Sequence, residues 1–185
     1  MSRVAATAEH LGAGLEHVRA APPDEGLLEL IARRPAVGER EVLDEAELEV
    51  ERGLVGDSWS LLGKTPNRKA QVTLMNARSA ALIAGDHDRW PLAGDQLYVD
   101  LDLSSDNLPP GTRLAIGSAI VEVSDLPHLG CGKFTERFGA EAREFVNSPQ
   151  GVALNLRGIN TQVVQSGTVR RGDAVRKLSS SRGSA

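Results

Sequence analysis

"LYVDLDL", residues 97–103, alternates more cleanly than any other stretch of this chain. Leu97, Val99, Leu101 and Leu103 fall on one side, and Tyr98, Asp100 and Asp102 on the other. A period of two is the mark of a strand with one face turned to a core. Downstream, "TRLAIG" (112–117) and "AIVEVSDL" (119–126) are two further strands joined at Gly117-Ser118, which makes a hairpin. Upstream, "LLELIARR" (27–34) and "QVTLMN" (71–76) are β-rich, while "EVLDEAELEV" (41–50) suits a strand but is also compatible with a helix. "INTQVV" (159–164) and "TVRRGDAVRKL" (168–178) close the series. "PPGTRLAIG" and "RRGDAVRKL" both lead from a glycine turn into a strand, as closed antiparallel sheets do. The expectation is one mainly β domain over 26–178: a closed antiparallel β-barrel of eight or so short strands, with two or three short helices on its rim.

The helical signals are few. "ARSAALIAG" (77–85) has Asn76 as N-cap and Gly85 as its left-handed stop. Phe138, Ala142 and Phe145 are spaced for one face of a helix that starts near Thr135. Residues 1–25 form a peripheral segment in which Leu11, Leu15 and Val18 predict a short amphipathic helix, ended by Pro22-Pro23. Its apolar stripe suits docking on the domain or on a second subunit. "KLSSSRGSA" is small and polar, and residues 179–185 are expected to be a disordered tail.

With 185 residues, the chain can bury a core. The net charge of −4 and only six aromatic residues (two Trp, one Tyr, three Phe) argue against nucleic acid as a partner. No run approaches the roughly 20 apolar residues of a membrane span, and the N-terminus has no signal-peptide core. A single cysteine forms no internal disulfide and no cysteine-based zinc or iron–sulfur site, which suits a reducing cytoplasm.

That cysteine, Cys131, stands in "LPHLGCGKFTERFG" (126–139) between Gly130 and Gly132, with His128 before it and Lys133 after it. A nearby cation and a helix N-terminus both favour thiolate, and His128 is placed to take the proton. The alternative is a thiol that fills a small apolar gap at the top of the helix. "GLVGDSW" (53–59) and "GKTPNRK" (63–69) give a tight loop followed by Lys64, Arg68 and Lys69, a place for an anion or simply a solvated basic turn. The glycine spacing of a P-loop is absent. In "LNLRGIN" (154–160), Asn155 and Arg157 suit a polar clamp. His87 between Asp86 and Asp88 resembles a metal set but follows a helix stop, where a solvated loop is the simpler reading. No G-x-S-x-G elbow is present.

In their order, "GLVGDSW", "QVTLMN", "GDQLYVDLDLS", "LPPGTRLAIGSAIVEVSD", "HLGCGKFTERFG", "LRGINTQVV" and "SGTVRRGDAV" resemble the MOSC domain, named for the C-terminal domain of molybdenum-cofactor sulfurase. The resemblance runs from about Leu27 to Val175. It implies a mainly β barrel with one functional cysteine, Cys131 by position, that carries sulfur as a persulfide or ligates molybdenum in a bound pterin cofactor. Lys64, Arg68, Arg157 and Asn155 are the candidates, by residue type, for holding that cofactor. The chain leaves no room for the pyridoxal-phosphate domain of full sulfurases, so it is expected to receive sulfur from a cysteine desulfurase or to serve a molybdoenzyme partner. Three functions follow: a sulfur or cofactor handler working through Cys131 with His128 and Lys133; a molybdenum-dependent reductase component for N-hydroxylated compounds; or a non-enzymatic binding barrel with a structural cysteine.

Overall fold

The structure, a computed structural model, describes residues 6–61 and 66–180. Its strands are β1 (Glu25–Arg33), β2 (Glu41–Leu43), β3 (Glu45–Glu49), β4 (Gly53–Leu54), β5 (Val72–Asn76), β6 (Leu97–Asp100), β7 (Arg113–Ile116), β8 (Ala119–Val123), β9 (Ile159–Gln165), β10 (Gly167–Arg170) and β11 (Ala174–Lys177). Seven of them close a barrel in the order β11-β7-β8-β9-β5-β6-β1, because β1 also pairs with β11, while β2 extends the sheet beyond β1. A small sheet, β10-β3-β4, lies beside it.

The barrel is mixed and not purely antiparallel: β5 and β6 run parallel, with Leu74 opposite Leu97 and Asn76 opposite Val99. The reason lies in the helix between them. α3 (Ala77–Ala84) and the 3₁₀ helix His87–Ala93 carry the chain back before β6 begins, and a crossover of that kind joins parallel strands. Asn76 does cap α3, accepting from the Arg78 N–H at 2.8 Å, and Gly85 ends it at φ 74°. The 41–50 stretch forms two strands, β2 and β3, and no helix.

Alternation along β6 separates two cores. Leu97, Val99, Leu101 and Leu103 join Leu28, Ile31, Leu74 and Val121 inside the barrel. Tyr98, from the opposite face, is also fully buried, under an outer layer of helices with Leu30, Met75 and Trp90. Its hydroxyl donates to the Trp90 carbonyl at 2.6 Å. Leu28 and Leu30, two apart, enter different cores because the β1–β6 register slips between them, as a β-bulge does.

That outer layer is richer than the two or three helices expected. Besides α3 it contains α1 (Ala8–Ala13), α2 (Leu15–Arg19), α4 (Gly132–Phe138), α5 (Ala140–Asn147) and α6 (Pro149–Ala153). Phe138, Ala142 and Phe145 do not share one helix: Gly139, at φ 94°, breaks the chain between α4 and α5. Leu11, Leu15 and Val18 pack into the same layer, and the Ala8 N–H donates to Glu141 at 2.6 Å. Among the described residues no helix is long and apolar enough to cross a membrane. Of the expected tail, residues 181–185 lie outside the described residues.

Candidate functional site

After β8 the chain runs without regular structure from Ser124 to Cys131, and two asparagines fix its path. Asn160, on β9, donates to the carbonyls of Leu126 and Pro127 at 3.1 and 3.2 Å. Asn147, at the end of α5, grips Gly130 twice: it accepts from the Gly130 N–H at 2.8 Å and donates to the Gly130 carbonyl at 2.9 Å. A Cβ on Gly130 would lie 3.0 Å from Val146 and 3.3 Å from Asn147, so glycine permits this approach. Gly132 has nothing within 4 Å of the same position and leaves open space.

Cys131 occupies the N-cap of α4, which begins at Gly132 and not near Thr135. The thiol is exposed, so it does not fill an apolar gap. Its pKa is lowered, chiefly by the Phe134 N–H, against the opposing effect of burial; the Lys133 N–H and the charge of Arg157 add to the lowering. These N–H groups face the sulfur without completing a capping hydrogen bond. Free N–H groups at a helix start stabilise an anion in this way. Lys133 thus acts on the sulfur through its backbone, with its side chain exposed, and the cation that reaches the sulfur is Arg157.

Behind the thiol sits a carboxylate that sequence reading passed over. Asp95, fully buried ahead of β6, ion-pairs with Arg157 and accepts from or shares a proton with His128 Nε2 at 2.9 Å. Burial alone would raise its pKa; the charge of Arg157, then that of His128, outweighs burial and brings it to about 2. Arg157 is only 7% exposed. It also donates to the Ala93 carbonyl at 2.8 Å and lies over the Phe134 ring at 5.0 Å. Its Nε has no partner among the described residues. Gly158, at φ 120°, makes room for this cluster, since a Cβ there would meet the Leu74 carbonyl at 2.4 Å. His128 is therefore engaged by Asp95, and among the described residues no hydrogen bond joins it to Cys131.

His128 also borders a cleft of about 470 Å³ lined by Arg34, Trp59, Asn67, Thr73 and Asn160. Asp57, from the "GLVGDSW" loop, is buried beneath it and holds Arg34 by two side-chain bonds of 3.0 and 2.7 Å and one to its backbone N–H at 2.8 Å. Gln96 joins Asp57 to Thr73, donating to the former at 3.3 Å and accepting from the Thr73 hydroxyl at 2.6 Å. Burial opposes ionisation of Asp57, but Arg34 prevails and its pKa falls. The cleft floor is a satisfied polar network with one face of Arg34 open to it.

The other residues expected to hold a ligand fall elsewhere. Arg68 is exposed, donates to the Val50 carbonyl at 2.7 Å and pairs loosely with Glu51 at 3.5 Å. Its neighbour Lys69 pairs with Asp125 at 2.7 Å. Asn155 is a turn residue at φ 48°, tied to the Leu103 carbonyl at 2.8 Å, and does not line the cleft. Lys64 lies outside the described residues. His87 packs against Trp90 at 4.4 Å with the rings tilted by 50°, and among the described residues no three His, Cys, Asp or Glu side chains form a metal-binding group. Of the three described cofactor candidates, Arg157 alone stands beside Cys131 and His128.

Comparison with known proteins agrees with the fold. In fold, the chain is similar to YuaD of Bacillus subtilis, with a TM-score of 0.58 over 84% of this chain and 97% of that one, at 15% identity. It is similar also to YiiM of Escherichia coli, with a TM-score of 0.57 over 83% and 70% of the two chains, at 19% identity. A crystallised hypothetical protein gives a TM-score of 0.60 at 19% identity, over 85% of this chain and 69% of that one. No curated protein matches the sequence. The model of the MOSC domain matches residues 62–176, which include β5 to β9, the Cys131 loop and most of β11. The chain belongs to the MOSC-domain family.

Proposed function

We propose that this MOSC domain works through Cys131, as a carrier of sulfane sulfur or as the protein ligand of a molybdenum cofactor. The observation that carries the reading is an exposed thiol of lowered pKa at the start of α4, beside Arg157 and three residues after His128, which lines a cleft of about 470 Å³.

The residues fit the cofactor in one respect that a metal-binding cluster would not. One soft thiolate suits a metal that brings its remaining ligands with it. Cys131 would ligate the metal, and Arg34, Asn160 and His128 would face the pterin from the cleft walls. When bound, the cofactor supplies two-electron redox chemistry. The protein's own residues supply position: Asn147 and Asn160 hold the loop, and Asp95 fixes the His128 ring.

As a sulfur carrier, the Cys131 thiolate attacks the outer sulfur of a donor persulfide. The new S–S bond forms as the old one breaks, and the donor thiolate leaves, taking up the proton. The donor would be a cysteine desulfurase and the acceptor a metal centre in a partner.

Two measurements test the proposal together. Protein purified gently from a molybdenum-replete host is analysed for molybdenum and for pterin fluorescence. A parallel sample incubated with a desulfurase and cysteine is weighed for a gain of about 32 Da, one sulfur atom. Either signal, lost in Cys131→Ser, supports the reading. Absence of both, or persistence of both in Cys131→Ser, refutes it.

A further inference from the structure

The 3₁₀ helix His87–Ala93 ends at Gly94 in a left-handed turn, and its last carbonyls are taken by four different arginines in succession. Arg40 Nε donates to Pro91 at 3.1 Å, Arg137 Nη1 to Leu92 at 2.8 Å, Arg157 Nη2 to Ala93 at 2.8 Å and Arg34 Nη1 to Gly94 at 3.2 Å. Carbonyls at a helix end attract cations, so part of this arrangement is capping. Capping does not explain how the four charges are balanced. Arg34 is matched by buried Asp57, and Arg157 by buried Asp95. Among the described residues, the side-chain hydrogen bonds of Arg40 and Arg137 go to backbone carbonyls and to no carboxylate.

Both of these guanidinium groups border Gly94. A Cβ built on Gly94 would find Arg137 Nη1 at 3.7 Å and Arg40 Nη2 at 4.0 Å. The gap between them is therefore no wider than those two distances together. Arg40 spends Nε on Pro91 and Nη1 on the Glu39 carbonyl at 2.7 Å, which leaves Nη2 unspent. Arg137 spends only Nη1. Both side chains are partly exposed. Burial, then the charges of Arg137 and Arg34, lower the pKa of Arg40, as expected where cations crowd together. The cost of this crowding is met by fixed backbone carbonyls, so the donors are held ready before any ligand arrives.

We propose that Arg40 and Arg137 form a binding site for a phosphate-class oxyanion, seated over Gly94 at the C-terminal end of α4. Two guanidinium groups with free N–H donors on one side of a tight turn match the several acceptor oxygens of such an anion. Bound there, the anion relieves repulsion between like charges that the fold has placed together. The site lies at the opposite end of α4 from Cys131, about 9 Å along the helix axis at 1.5 Å per residue. It stands independently of the chemistry assigned to the thiol.

The test is a titration with inorganic phosphate, followed by the amide resonance of Gly94 and the side-chain Nε–H resonance of Arg137, at constant ionic strength set with sodium chloride. Glycerol 3-phosphate is titrated in parallel. The wild-type protein is expected to show saturable shifts at both positions. Arg40→Gln and Arg137→Gln are each expected to weaken binding about tenfold, the loss of one charge-assisted contact. Arg137→Lys recovers part of that loss, and Cys131→Ser leaves binding unchanged. Tighter binding of the ester identifies the natural ligand as an organic phosphate, and equal or weaker binding as the free anion. Unsaturable shifts, shifts equalled by chloride, or undiminished affinity in Arg40→Gln with native amide dispersion would overturn the proposal.

Discussion

Replacing Asp95 with asparagine keeps the shape of the side chain and removes its charge from a fully buried position. What remains is Arg157, 7% exposed, facing a neutral amide, with His128 deprived of its anionic partner. Two routes give the size of the effect. A pKa brought from 3.8 to about 2 means that the fold favours the carboxylate over the neutral acid by about 2–3 kcal/mol, at ~1.4 kcal/mol per unit. Stranding one partner of a buried ion pair costs about 3–5 kcal/mol. An amide adds N–H groups that oppose those of Arg157, so Asp95→Asn should lose about 3 kcal/mol or more. Urea unfolding at pH 7, followed by the fluorescence of buried Trp59 and Trp90, measures this. The pH dependence carries a second signature. Because the folded pKa is depressed, the stabilisation is fully present above pH 3.8 and is lost as pH falls through about 2. The wild-type protein should therefore lose stability between pH 4 and 2 by a component that Asp95→Asn lacks. Asp95→Asn combined with Arg157→Met should recover more than half of the loss, because methionine packs on Phe134 without a charge to satisfy. A loss under about 1 kcal/mol at pH 7, with the acid limb unchanged, would refute the account.

The two glycines beside Cys131 should respond oppositely. Gly130→Ala presses on Val146 and Asn147 and is expected to lower stability by about 1–2 kcal/mol, whereas Gly132→Ala, at the first position of α4 with open space around it, should change it by less than about 1 kcal/mol; thermal unfolding of both variants checks the contrast. For the thiol, iodoacetamide reaction rates measured from pH 6 to 10 should give a lower midpoint in the folded protein than in urea. Coincident midpoints would show that the helix start does not activate it.

Much of the barrel is legible in the sequence because its strands turn one face to a dry interior, as Leu97, Val99 and Leu101 do. The parallel pair was missed for a topological reason: the helix between β5 and β6 was recognised, but its consequence for strand direction is not a local signal. Helix number was underestimated because Gly139 divides a pattern that spacing alone reads as continuous. At the site, Cys131, His128 and Arg157 were legible as chemistry-bearing residues near glycines, whereas Asp95 and Asp57 were not. Both aspartates directly follow a glycine of positive φ, Gly94 or Gly56, and each anchors an arginine from a distant strand or loop. A carboxylate placed straight after a sharp turn and ahead of apolar sequence is the signal that would have found them. Residue type alone points to Arg68 and Asn155, and type says nothing about where a side chain is spent.

The order of influences on Cys131 separates the helix start from the aspartate cluster. The Phe134 N–H lowers the thiol pKa more than the charge of Arg157 does. Arg157 and His128 share the two oxygens of Asp95, and without that carboxylate the arginine could not remain buried against Phe134. Activation of the thiol therefore rests first on the backbone of α4, which side-chain substitution leaves in place. The buried cluster serves mainly to fix where the loop runs. Arg157 ties the 3₁₀ helix to the chain ahead of β9, and His128 ties the cysteine loop to the same carboxylate. Asn147 and Asn160 finish the job on the backbone. A reactive thiol needs a fixed address as much as a low pKa, and in this fold the two come from different atoms.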